Sequence, residues 1–166
     1  MKRLLLAVVA FFIASLAYCQ TTVKFAYPEI EFKFKRCICS GNTAYIDFTI
    51  LNNTKTDIKG ILDYDGNPYN GIFPVAYDDE GNVYRTRGEQ YQISRIDIAG
   101  RSLPQPQPYS FLLPAGVPVK MRVTLSGVDE YAAKFTMLKI LFREFYRSGW
   151  ADYTPVEIRE IPIMRN

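Results

Sequence analysis

The sequence predicts an all-β fold, an antiparallel two-sheet sandwich of about eight or nine strands. Three observations carry that prediction. Apolar residues recur at every second position in nearly every hydrophobic segment, turn signals rich in Gly, Asn, Asp and Pro arrive every 8 to 15 residues, and the 3.6-residue period of a helix is almost absent. A closed barrel is the alternative. Uneven strand lengths and proline connectors suit crossings between two sheets better than a uniform meander, which makes the sandwich immunoglobulin-like. There is no Cys-Trp-Cys arrangement, so that likeness is one of architecture only.

The elements follow in chain order. Lys2 and Arg3 precede an apolar run, residues 4–16, broken only by Ser15, and small residues then give way to polar Gln20, Thr21 and Thr22. This is the pattern of a secretory signal, residues 1–19, and the run falls short of the roughly 20 residues a membrane-spanning helix needs. Cleavage after Cys19 puts Ala17 and Cys19 at the small-residue positions and leaves residues 20–166 as a single β-sandwich domain. The alternative is an outer-membrane lipoprotein, with Cys19 carrying diacylglycerol; bulky Tyr18 before the cysteine argues against it.

In "IEFKFKRCIC", Ile30, Phe32, Phe34 and Ile38 alternate with Glu31, Lys33 and Lys35, predicting a strand with one buried face. Gly41-Asn42 turns it into "TAYIDFTIL", where Ala44, Ile46, Phe48 and Ile50 form the next apolar face. "NNTKTD" is a polar loop, Ile58 to Tyr64 a further strand, and "DYDGNPYNG" a series of turns. Residues 75–84 predict a hairpin, with Val75 and Tyr77 entering and Val83 and Tyr84 leaving, whose two tyrosines either serve a binding surface or face each other as a cross-strand pair, and residues 91–98 another strand. "RSLPQPQPYS" reads as a proline-rich connector. Val117, Val119, Met121, Val123 and Leu125 share one face of a core strand. "DEYAAKF" predicts one helical turn at Asp129, "KFTMLKILFREF" a central strand apolar on both faces, and residues 155–164 an edge strand, given Pro155 and Pro162.

Composition excludes several chemistries. The chain contains no His, which removes the commonest general base and metal ligand and with them any Ser-His-Asp or Cys-His site. Once residues 1–19 are set aside, 18 basic residues face 17 acidic ones, so the basic field of a nucleic-acid binder is missing. Cys37 and Cys39 form a C-x-C without a second pair to complete a zinc or iron–sulfur site. They read as two small strand residues or, in an oxidising compartment, as a strained bridge, since extended geometry separates their Cα atoms by about 6.5–7 Å. No cofactor is expected.

Three candidate sites remain. Asp63 and Asp65 in "DYDGN", with Asp78 and Asp79 in "DDEGN", are weak calcium candidates, because such loops supply hard oxygen ligands, although neither has EF-hand spacing. Asp47 and Glu80 join those four as candidates for a pair of glycosidase carboxylates. Tyr64, Tyr69, Tyr77, Tyr84, Tyr91 and Tyr109 fall in or near mid-chain loops and are the candidate binding surface, since tyrosine combines a rigid ring with a hydroxyl.

"VAYDDEGNVY", followed by a strand and then "LPAGVPVKMRVTLSGVDEYAAKFTMLKILF", resembles the exported, functionally uncharacterised immunoglobulin-like sandwich proteins of Bacteroidetes. The likeness spans about residues 30–163. It implies a β-sandwich, periplasmic or at the cell surface, and brings no catalytic residues. Two functions are carried forward: an exported, non-enzymatic binding or structural module of the cell envelope that holds a protein partner or glycan, and a metal-dependent or carboxylate-based enzyme acting on an extracytoplasmic polymer.

Overall fold

Thirteen strands in two sheets make up the described residues of the computed structural model, which are 20–63, 73–86, 92–103, 109–144 and 154–166. The strands are β1 (Thr22–Lys24), β2 (Ile30–Ser40), β3 (Thr43–Asn52), β4 (Ile58–Asp63), β5 (Val75–Asp78), β6 (Val83–Arg85), β7 (Ile93–Ile98), β8 (Arg101–Leu103), β9 (Tyr109–Leu113), β10 (Val119–Ser126), β11 (Lys134–Glu144), β12 (Thr154–Pro162) and β13 (Met164–Arg165). The six-stranded sheet runs β13-β2-β3-β10-β7-β8. The seven-stranded sheet runs β1-β12-β11-β4-β9, with β5 and β6 continuing from β11. No helix among these residues is long and apolar enough to cross a membrane.

Alternation builds the core. Ala44, Ile46, Phe48 and Ile50 of β3 point inward beside Met121, Val123 and Leu125 of β10, and they meet Leu138, Ile140, Phe142, Val156 and Ile158 of the facing sheet. β11 is central, as its two apolar faces predict: β12 lies along one edge, while β5 and β4 share the other, opposite Phe135–Lys139 and Leu141–Glu144 respectively. Gly60 makes room inside this sheet, since a Cβ there would lie 2.7 Å from the Phe111 ring and 2.8 Å from that of Phe142. Those rings belong to an aromatic cluster in which Phe25, Phe32 and Phe142 meet edge to face.

The strand count exceeds eight or nine because β1, β8 and β13 have only two or three residues each, too few for an alternation to register, and because β9 begins inside the expected proline connector. β8 occupies the start of the expected proline connector. Residues 127–133 form bends instead of a helical turn; Asp129 Oδ1 accepts the Tyr131 N–H at 2.8 Å, but the turn does not propagate. β12 is not an edge strand, because β1 covers Glu157–Arg159, the stretch between its two prolines. Val117 lies in the turn before β10 and is half exposed.

Bulges account for the misread faces. In β2, Phe34 pairs with Phe48 and Arg36 with Asp47, which leaves Lys35 as an extra residue. Beyond it the inward phase passes to Cys37 and Cys39, both buried free thiols, while Ile38 moves to the outer face. Burial first, then the neighbouring Cys39, pushes the Cys37 thiol up to about 12. A similar slip at Ser94 in β7 lets Ile93, Ile96 and Ile98 all face the core.

Candidate functional site

The outer face of the six-stranded sheet carries a row of alternating charge. Register places Arg36 of β2 beside Asp47 of β3, Asp47 beside Arg122 of β10, and Arg122 beside Asp97 of β7. Each residue lies on the outward phase of its strand, and opposite charges directly across a sheet attract by roughly 0.2–1 kcal/mol per pair. Arg122 grips Asp47 with both ends of its fork, Nε to Oδ1 at 2.6 Å and Nη2 to Oδ2 at 3.0 Å. Arg36 Nε adds a third bond to Oδ2 at 2.8 Å. The Asp47 side chain is only 18% exposed against 52% for Arg36, so the carboxylate sits beneath its guanidinium partners.

The fork of Arg122, reinforced by Arg36, holds the Asp47 carboxyl below the usual carboxylate range against a partial desolvation that acts the other way. Arg122 is correspondingly raised, first by its bond to Asp47, and its guanidinium also lies over the Tyr45 ring at 5.6 Å. Asp97 is claimed by Arg95 Nε at 2.8 Å.

Beside this row runs a groove of about 530 Å³, lined by Lys35, Arg36, Asp47, Thr49, Asp97, Gly100, Lys120 and Arg122, with Phe48 and Met121 beneath. A hollow of about 220 Å³ lies against the same charges near Ile38, Ser40 and Tyr45. The bulge matters here: a bulge re-aims side chains, and this one brings consecutive Lys35 and Arg36 to one groove. Lys35 and Lys120 make no ion pair among the described residues. The groove can hold an anion or a hydrogen-bonding ligand. It is poorly suited to acid–base work, because Asp47 is held ionised by three bonds from cations and is a weak base.

The mid-chain candidates are distributed differently from expectation. Tyr84 is 1% exposed and packs edge to face with Phe135, so it is a core residue and not part of a surface cluster. Nor does it face Tyr77: the β5–β6 register sets Tyr84 against Ala76 and Tyr77 against Val83, on opposite faces. Tyr77 itself is half-buried. Asp78 is buried, and its carboxylate accepts four bonds, from Glu80 N, Asn82 N, Asn82 Nδ2 and Tyr84 Oη. Burial acts to raise its pKa, but these donors outweigh it and leave the group lowered. Asp79 Oδ1 accepts the N–H groups of Ala133 and Lys134, and Glu80 is an exposed turn residue.

These carboxylates are therefore the internal fastenings of a turn, and no group of three or more metal-ligating side chains occurs among the described residues. The turn belongs to the seven-stranded sheet, while Asp47 lies on the outer face of the other, so the structure does not join them as a catalytic pair. Asp63 ends β4, with its side chain outside the described residues, as is that of Tyr109 at the head of β9. Tyr64, Asp65, Tyr69, Tyr91 and Cys19 lie outside the described residues altogether.

Lys35, Arg36, Lys120, Arg122 and Asp97 escape a reading of the sequence because only register across four strands brings them together. One local signal was present: the double basic step Lys35-Arg36 interrupts an otherwise strict alternation, which is how a bulge looks in sequence. No protein-family model matches the chain, and no curated protein matches it.

Proposed function

We propose that this chain is an exported, non-enzymatic binding module of the bacterial cell envelope, which holds a glycan or protein partner in the groove on the outer face of its six-stranded sheet. The observation that carries the reading is the groove's surplus of unspent donors. Lys35 and Lys120 are without ion-pair partners among the described residues, and Arg36 and Arg122 direct only part of their five N–H donors each at Asp47. Purely structural charge pairing across the sheet would be complete without the two lysines. The absence of His from the chain and the tight grip on Asp47 favour binding over catalysis.

A thermal-shift screen with neutral and acidic oligosaccharides and acidic peptides tests this, since a ligand of the folded state raises the melting temperature by mass action. A compound that stabilises the wild type but not Lys120→Glu supports the groove. Stabilisation indifferent to that change moves the site elsewhere, and a screen without any shift removes the binding role. Export is part of the same reading, and the intact mass of the secreted protein decides between a free Gln20 terminus and a diacylated Cys19.

A further inference from the structure

The groove's chemistry narrows what it holds, a step that rests on its being the ligand site. We infer that the ligand is an acidic glycan, a saccharide bearing carboxylate groups, bound by Lys35, Arg36 and Lys120. Four cations and two carboxylates line the groove. Both carboxylates are already engaged, Asp47 by Arg122 and Arg36 and Asp97 by Arg95, so the charge left to meet a ligand is positive. The β2 bulge contributes to this directly by placing Lys35 next to Arg36 on one wall, while Lys120 rises from β10.

The floor argues against a protein segment. β3 is paired on both sides, by β2 and β10, and β10 by β3 and β7, so these two floor strands offer no open backbone ladder to an extended peptide. Phe48 and Met121 bury their side chains in the core, at 1% and 2% exposure, so neither is offered as a contact for the anchor residue of a protein partner. A polyhydroxylated chain needs neither. Its carboxylates meet Lys35, Arg36 and Lys120, its hydroxyls meet Thr49, and its ring faces lie on the aliphatic stems of the long cationic side chains. The volume of about 530 Å³ is within the range of small-ligand sites.

Calorimetric titration of the protein as the cell exports it, with trigalacturonate, its neutral methyl ester and hexaglutamate, tests the inference. Trigalacturonate is expected to bind, and to weaken by about tenfold between 20 and 200 mM salt, because exposed charges are screened. Lys35→Glu and Lys120→Glu should each weaken it by about tenfold or more. Arg159→Glu is the control: Arg159 belongs to β12 of the other sheet and pairs with Glu157 at 3.3 Å, and its reversal should change affinity less than about twofold. Circular dichroism confirms that each variant is folded. Equal binding of the methyl ester overturns the acidic assignment and leaves the groove standing; tighter binding of hexaglutamate overturns it in favour of an acidic protein segment. If none of the three binds, the inference fails, whereas the groove reading fails only if the broader screen yields nothing sensitive to Lys120→Glu.

Discussion

The hydroxyl of Tyr84 donates to Asp78 Oδ2 at 2.7 Å inside the protein, tying the strand that leaves the β5–β6 turn to the strand that enters it. Tyr84→Phe keeps the ring against Phe135 and removes this bond together with the weaker one that the hydroxyl oxygen accepts from the Asp129 N–H at 3.3 Å. A hydrogen bond to a charged group contributes about 1.5–3 kcal/mol, so the urea midpoint should fall by that equivalent with an unchanged slope. An unchanged midpoint would show that the bond contributes nothing.

The same turn sets an acid limit. Asp78 and Asp47 both have folded pKa values lowered from the ordinary carboxylate value, so the unfolded state binds protons first as pH falls. The stability they contribute is full above the unfolded value of about 4 and is lost as pH drops through the folded values. Urea unfolding across pH 6 to 2 should show a steep loss below about pH 4 that Asp78→Asn flattens. An equally steep loss in that variant would place the acid-sensitive groups elsewhere.

Gly60 has no room for a methyl group. Its Cβ would lie 2.7 Å from the Phe111 ring and 2.8 Å from that of Phe142, inside a packed aromatic cluster. Gly60→Ala should cost about 1–3 kcal/mol by overpacking, measured by denaturant unfolding. A neutral result would mean that the rings yield freely.

The β7–β8 hairpin holds the opposite kind of strain. Ala99 and Gly100 are its two turn residues, between paired Ile98 and Arg101, and both have positive φ, 52° and 75°. That is a type I′ arrangement, for which Asn-Gly is the favoured pair and in which Ala pays for its Cβ. Ala99→Asn should raise stability by up to about 1 kcal/mol, read from the melting temperature. A fall would contradict the turn geometry.

Much of this fold is legible in residue order, because an apolar residue at every second position dictates a pleated face wherever the chain stays regular. β3 and β10 are read correctly from Ala44 to Ile50 and from Val119 to Leu125. The errors begin where a bulge adds a residue. Continuing the count from Phe34 points Ile38 inward, yet Lys35 breaks the count and Cys37 takes the core position. The candidate site is less legible for a stronger reason: Arg36, Asp47, Arg122 and Asp97 come from four strands, and no local pattern specifies which positions lie opposite one another. Tyr84 misleads because a tyrosine beside an acidic turn suits exposed recognition and a buried hydroxyl–carboxylate tie equally well.

The decisive measurement for the account is a map of backbone amide shifts on titration with trigalacturonate. Occupancy of the groove predicts changes concentrated at residues 35–36, 47–49, 97–100 and 120–122, with the β5–β6 turn from Val75 to Arg85 undisturbed. Changes confined to that turn, or spread over the seven-stranded sheet, would contradict a ligand site on the outer face of the six-stranded sheet.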